Sequence, residues 1–320
     1  MPGRHSVRIA ILVTLVLSCV AAGAADAASR GPSTPASRFF FAGNGRLRLH
    51  HGHFKTNLDV RYRRADGSYD EAALAQIRHF FRSREDGREG DVSLRLVELL
   101  GFIETRFHPQ RLTLLSAYRS PEFNEDIRAA GGKAAKASLH TEGLAADIVP
   151  SGLNLREMWT ELRELRTGGA GYYRKGNFLH VDTGKPRFWE ETTSRVDEDL
   201  SAGNARIFVR TDFDRYADLN GAVLSLHSVT AFPLAIATNA MLVGPDGTTA
   251  TARLAAAQGV ENGAGCLQIP AYADAYRLRI VDARAPAGRG PWRLVLATCE
   301  PRIERTPESA ESNPIELMGR

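Results

Sequence analysis

The sequence predicts an α+β fold: a domain that mixes helices with a small mixed or antiparallel sheet, followed by an all-β, sandwich-like domain. Three observations carry this expectation. Between about residues 38 and 200, stretches with helical apolar spacing interleave with short strand-like runs, and neighbouring strands read as hairpins, which favours α+β over a doubly wound sheet. From about 201 to 300 there are only short strand-like runs separated by turn signals, the pattern of a β-sandwich. The 320 residues suffice for two domains with cores of their own.

Taken in order, residues 1–28 read as a secretory signal peptide. Arg4, His5 and Arg8 precede the apolar run Ile9 to Leu17, and small residues follow at Ala22-Gly23-Ala24 and Ala25-Asp26-Ala27. The run is shorter than the ~20 residues a membrane span needs, and no other segment is apolar enough to cross one. The expected location is therefore outside the cytoplasm, in the periplasm or cell envelope. Cys19 after Val16-Leu17-Ser18 loosely resembles a lipoprotein cleavage site, but Leu17 suits that position poorly; a lipid anchor at Cys19 is the alternative to free export. Residues 29–37 form a Ser/Pro/Ala linker.

Phe39 to Phe41 and Arg46 to His50 read as two strands of a hairpin about Gly43-Asn44-Gly45. Ser68 and Glu71 have capping-box spacing, and Leu74, Ile77, Phe80 and Phe81 predict a helix over 69–81. Leu96, Leu99, Leu100, Ile103 and Phe107 form the apolar stripe of a second helix beginning at Ser93. Arg111 to Ser116 reads as a strand, Ser120-Pro121 as the start of a helix that Gly131-Gly132 stops, and Ala145 to Val149 as a buried strand. Leu155, Trp159, Leu162 and Leu165 give a further helix ended by Gly168-Gly169, before strands at Gly171 to Tyr173 and Phe178 to Asp182.

In the β-domain, strands are expected at 206–210, 222–226, 234–237, 241–243, 267–269, 276–281 and 293–297. Residues 301–320, polar with two prolines, read as a disordered tail. Outside the leader only Cys266 and Cys299 remain. An even pair in an exported protein points to one disulfide, a staple of the C-terminal region.

Lys and Arg number 41 against 37 Asp and Glu, and they are scattered rather than gathered into a stripe, so nucleic acid is not an expected partner. No nucleophile elbow, phosphate-binding glycine loop or dinucleotide fingerprint occurs. The histidines are more informative. His140 and Asp147 stand in Ser138-Leu-His140-Thr-Glu-Gly143-Leu-Ala145-Ala-Asp147, and His180 stands in Phe178-Leu-His180-Val-Asp182-Thr-Gly184. Two imidazoles and one carboxylate fill three positions of a tetrahedral zinc and leave the fourth for a water whose pKa falls towards ~7. On spacing alone the signal is weak, since a single histidine is more often a core or surface residue than a ligand. The His50-His51-Gly-His53 cluster lacks a carboxylate nearby and is expected on an exposed strand end. The acidic run Asp212, Asp214, Asp218 misses the spacing of a calcium loop.

The segment from Ser138 to Asp147 resembles the Ser-x-His-x-x-Gly-x-Ala-x-Asp motif of the zinc D-Ala-D-Ala peptidase family. Leu114-Leu-Ser-Ala-Tyr118-Arg119-Ser-Pro121, Gly171-Tyr-Tyr173, His180-Val-Asp182-Thr-Gly184 and Phe188-Trp189 extend the likeness to the branch containing murein endopeptidase K, over about residues 46–189. The resemblance implies a zinc metallopeptidase that cuts peptide cross-links of peptidoglycan, with peptide stems as its partners and Zn2+ as its cofactor. It sets His140, Asp147 and His180 on the metal-ligand positions, Arg119 on the arginine that contacts the scissile carbonyl or a substrate carboxylate, and Ser138 on a small residue beside the ligands, where its hydroxyl orients His140 or a substrate amide, or simply caps a turn. Several relatives carry Glu or Asp three residues before the last ligand; here that residue is Asn177, which cannot accept a proton. Asp182, on the same strand face as His180, is the candidate base, with a supporting carboxylate or turn residue as the alternative. Two other functions stay open: a catalytically inactive zinc- or murein-binding module, and a D,D- or L,D-carboxypeptidase.

Overall fold

The computed structural model describes residues 37–131, 138–191, 205, 207–228, 230, 232–256, 261–262, 265–271, 276–284, 290–302 and 305–318. The 1–28 leader, most of the linker and the expected boundary at 200 lie outside the described residues.

The first half builds a mixed seven-stranded sheet with four helices. In chain order these are β1 (Arg46–His51), β2 (Asn57–Arg61), α1 (Glu71–Phe80), α2 (Leu94–Phe107), β3 (Arg111–Ser116), α3 (Pro121–Ala129), β4 (Ala145–Ser151), α4 (Leu155–Leu165), β5 (Gly169–Tyr173), β6 (Phe178–Asp182) and β7 (Arg187–Glu190). The sheet order is β2-β1-β3-β4-β6-β5-β7, with parallel pairs at β1–β3 and β5–β7 and antiparallel pairs elsewhere. Leu47, Leu49, Ile77, Leu96, Leu100, Ile103, Leu114, Ile148, Met158, Leu162 and Val181 meet in one core. The spacing that predicts α2 is the face it buries: Leu96, Leu99, Leu100 and Ile103 are all inward.

Two local expectations are corrected. The hairpin partner of β1 is β2, because the alternation Leu58/Val60 matches Leu47/Leu49 across the ladder, whereas Phe39 to Phe41 form no strand. Helix α1 is capped by Asp70, whose side chain accepts from the Ala73 N–H at 3.0 Å; Ser68 instead donates its hydroxyl to Asp66.

The second half contains β8 (Ile207–Thr211), β9 (Arg215–Tyr216), β10 (Val223–Ser228), β11 (Leu234–Ala237), β12 (Asn239–Val243), β13 (Thr249–Ala256), β14 (Glu261–Asn262), β15 (Cys266–Ile269), β16 (Tyr276–Ala283), β17 (Arg293–Ala297), β18 (Ser309–Glu311) and β19 (Glu316–Leu317). An antiparallel sheet of order β18-β17-β12-β13-β16-β10-β8 is accompanied by a three-stranded sheet β11-β15-β14 and the small parallel pair β19–β9. Leu224, Leu226, Ile236, Leu242, Leu254, Leu278, Ile280, Trp292 and Leu294 form the second core, so the sandwich-like expectation holds. Cys266 on β15 and Cys299 just past β17 form a disulfide with Cα atoms 6.6 Å apart, tying the small sheet to the large one.

The 301–320 segment is not a disordered tail in its described residues. β18 pairs with β17, and Ile315, fully buried, exchanges backbone hydrogen bonds with Trp292. Composition averages over this stretch and hides the few apolar side chains, Ala310 and Ile315, that find a core.

The two halves share polar contacts. Arg95 on α2 pairs with Asp214 and donates to the Thr211 carbonyl at 3.0 Å; Asp214 also accepts from the Phe40 N–H at 2.9 Å and from Asn313 Nδ2 at 3.0 Å.

Candidate metal centre

Asp147 on β4 and His180 on β6 are direct partners across the ladder, so both side chains leave the same sheet face. On the other side of β4 the pairing with β3 is bulged between Leu114 and Ser116, opposite Ile148 and Asp147. His140 arrives from the loop ahead of β4. Its backbone N–H donates to Ser138 Oγ at 3.3 Å, and its carbonyl accepts from Gly143 N at 3.2 Å. Gly143 is required there, since its φ is +63° and a Cβ would come within 1.7 Å of the Asp91 carbonyl oxygen.

Hydrogen bonds fix which ring nitrogens carry protons. His140 Nδ1 lies 2.7 Å from the Ala117 carbonyl, which can only accept, so the proton is on Nδ1 and the lone pair is on Nε2. His180 Nε2 lies 3.1 Å from Asp182 Oδ2 and holds its proton there, while Nδ1, 3.1 Å from Asp147 Oδ1, faces the other two candidate ligands and can coordinate once its own proton has left. His140 Nε2, His180 Nδ1 and Asp147 Oδ1 then form a triangle with edges of 3.2, 3.1 and 3.4 Å. Metal bonds of about 2.0–2.1 Å at tetrahedral angles give edges of about 3.3–3.4 Å, so the three atoms fit a tetrahedral metal. All three residues are buried.

The electrostatics suit a cation. Burial, then Arg119, pulls the His140 ring down to about 4, so it stays neutral at physiological pH. Burial would raise Asp147, but His140 and Arg119 outweigh it and hold the carboxyl well below its usual range. Burial would lower His180, but hydrogen bonds to Asp147 and Asp182 outweigh it and raise the ring above 6.5.

Arg119 Nη2 donates to Asp147 Oδ2 at 2.5 Å and its Nε to Ser116 Oγ at 3.0 Å. Asp147 thus offers one oxygen to the histidines and the other to Arg119. Ser138 meets His140 through the backbone, its Oγ accepting from the His140 N–H.

Asp182 is the candidate base of the sequence reading, with a supporting carboxylate or turn residue as the alternative. It lies behind His180, on the ring edge away from the triangle, and is fully buried. Its Oδ1 accepts from the N–H groups of Gly169 at 3.1 Å and Gly184 at 2.6 Å, and its Oδ2 is 2.9 Å from Arg187. Room for it comes from Gly169, its β5 partner, where any Cβ would meet Oδ2 at 2.1 Å. A same-face argument places Asp182 beside His180 and does not say on which side of the ring.

Sequence reasoning missed Arg187, which pairs with Asp182, and named Trp189 only as part of the likeness, without a place at the site; its ring centroid is 5.2 Å from that of His180, and both residues sit on β7, too short for a periodic signal. It also missed the contact of Glu142 with His227 Nδ1 of β10 at 3.1 Å, which joins residues 85 apart. His51 is buried against Phe54 and Phe80, ring centroids 4.4 and 5.3 Å away, and is not on an exposed strand end. Its ring nitrogen closes the turn by accepting from His53 N and Phe54 N. Asp214 serves the Arg95 pair, and Asp218 caps Asn220.

Two comparisons with known proteins bear on this site. Residues 42–189, which contain the whole triangle, match the family described as peptidoglycan L,D-endopeptidase MepK. The peptidoglycan L,D-endopeptidase MepK of Escherichia coli (strain K12) is 34% identical over 183 residues, covering 55% of this chain and 94% of the relative. The chain belongs to the MepK family. A probable peptidoglycan L,D-endopeptidase MepK of Haemophilus influenzae is 29% identical over 124 residues, 38% of this chain and 67% of that relative. No solved structure matches. The family match ends at residue 189, ahead of the second, all-β half of the chain.

Proposed function

We propose that this MepK-family chain is a zinc peptidase that hydrolyses L,D-type peptide cross-links of peptidoglycan, exported by its leader to the periplasm or envelope where that polymer lies. The observation that carries the reading is the triangle of His140 Nε2, Asp147 Oδ1 and His180 Nδ1, with edges that fit zinc, in a chain similar over its first half to named endopeptidases. Zinc, when bound there, supplies a Lewis acid and a water acidic enough to act near neutral pH.

The chain's own residues hold and aim that chemistry. The Ala117 carbonyl and Asp182 each hold a proton on the far nitrogen of a ligand histidine, which fixes its ring and keeps its lone pair on the metal side. Arg119 steadies Asp147 through Nη2, and its Nη1, without a partner among the described residues, is the donor for the scissile carbonyl as negative charge develops there. Trp189 beside His180 walls the ligand from water. No carboxylate stands at Asn177, and this favours a second reading, a zinc- or murein-binding module without turnover.

The test is digestion of cross-linked muropeptides by the purified chain, followed by mass analysis with and without a chelator. Monomer release that chelation stops supports the enzyme. Cleavage that ignores chelation overturns the zinc mechanism, and no cleavage with zinc fully loaded selects the binding module.

A further inference from the structure

The β-domain turns one face of β8 and β10 towards the metal-site loop. Ile207, Val209 and Thr211 point into the second core, so Phe208 and Arg210 lie on the opposite face. In the β8–β10 ladder Phe208 opposes His227 and Arg210 opposes Ser225, which puts Arg210 on the same face as His227. His227 meets Glu142, two residues past the ligand His140. This face therefore lies against the loop that delivers a metal ligand.

Arg210 differs from the other arginines near the site. Arg95 is engaged with Asp214 and the Thr211 carbonyl, Arg187 with Asp182, and Arg277, farther along the face, with Ser225 and Asp212. Arg210 is half-buried among Arg95, Arg187, Asp182 and Asp214, and among the described residues its guanidinium makes no hydrogen bond or ion pair. Of these neighbours, Arg95 is paired with Asp214 and Arg187 with Asp182, so the Arg210 guanidinium has no ion-pair partner among the described residues. A secluded, unpaired cation is costly to fold around unless something offsets it in use. Burial, with Arg95 beside it, indeed holds the guanidinium below its ordinary range. An anion arriving from outside removes the imbalance, and a planar fork of donors suits a carboxylate.

We infer that Arg210 binds a carboxylate of the peptide stem held at the His140–Asp147–His180 site, so that the β-domain supplies part of the substrate site. The inference rests on the proposed function for the substrate's identity. It concerns a residue outside the MepK-like region, 42–189.

The experiment uses the full zinc-loaded chain, a cross-linked muropeptide dimer with free carboxylates, and the same dimer with those groups amidated. Arg210→Gln should raise KM and the equilibrium Kd for the free-acid dimer on the order of tenfold to a hundredfold, the worth of a charge-assisted hydrogen bond, with kcat little changed. Amidation should weaken wild-type binding to the level of the variant and cost the variant nothing more. Arg210→Lys should restore part of the affinity. The thermal midpoint of Arg210→Gln should equal or exceed that of wild type, since an unpaired charge is removed; a structural role would lower it. Equal losses on both dimers, or a fall in kcat with KM and Kd unmoved, overturn the inference. Cleavage by wild type with no dependence on Arg210 overturns it and leaves the peptidase standing. Arg210-dependent binding without cleavage keeps the carboxylate site and overturns the peptidase.

Discussion

His180 Nε2 donates to Asp182 Oδ2 at 3.1 Å, on the ring edge opposite the Nδ1 that meets Asp147. On the proposed zinc reading Asp182 is a positioning residue: it sets the proton on one nitrogen and leaves the other to the metal. Asp182→Asn should therefore weaken zinc affinity by about 10- to 100-fold, the usual cost of losing a carboxylate behind a ligand histidine. Competition with a chromogenic chelator measures this. Unchanged affinity with turnover lost would return Asp182 to the role of base.

Removing a ligand should act on metal content first. His140→Ala, Asp147→Ala and His180→Ala should each take zinc from about one per chain to near zero while circular dichroism stays that of the folded chain. Full zinc content in any of the three would refute that ligand's assignment.

Zinc binding should release a proton from His180. In the metal-free protein its two carboxylate partners raise the ring above the ordinary 6.5, so the proton on Nδ1 must leave before the metal can bind. The same raised value stabilises the metal-free fold fully below pH 6.5 and is lost as pH rises through the folded pKa. Zinc affinity should consequently fall as pH drops through that value, by at most about tenfold per unit. Affinity flat from neutral pH to pH 6 would contradict it.

His51 should contribute to acid lability. Burial first, then His53 and Arg82, lowers its pKa to about 4, and its Nδ1 is committed as an acceptor of two backbone N–H groups. The folded state therefore binds fewer protons than the unfolded one, so stability falls as pH drops from 6.5 towards 4. Unfolding midpoints followed across that window should fall less steeply in His51→Gln, which cannot take up the proton.

The Cys266–Cys299 bridge spans 33 residues, a loop whose closure is worth roughly 3 to 4 kcal/mol in the chain-entropy model. Thiol titration of unreduced protein after removal of the leader should read near zero. Reduction should lower the unfolding free energy from a denaturant titration by that amount, seen as a lower midpoint.

By itself the sequence determined the elements with strong periodicity and singled out the candidate trio His140, Asp147 and His180. The stripe of α2, the proline-started α3, the strands β4 and β6 and the turns between the β-domain strands follow from local sterics and apolar spacing, which neighbouring residues specify. His140, Asp147 and His180 were legible as a group through the resemblance of their flanking segments to the zinc D-Ala-D-Ala peptidase family, since their spacing alone is a weak signal. The tertiary structure decided what depends on register and on distant partners. The β4–β6 pairing sets Asp147 against His180, and the buried niche beside Gly169 puts Asp182 behind the ring. The approach of β10 to the loop ahead of β4 sets His227 against Glu142, and Ile315 folds back onto Trp292. Local sequence encodes conformational preference, whereas which side of a ring a carboxylate occupies, and which charge finds no counterion, depends on residues brought together only when the chain closes on itself.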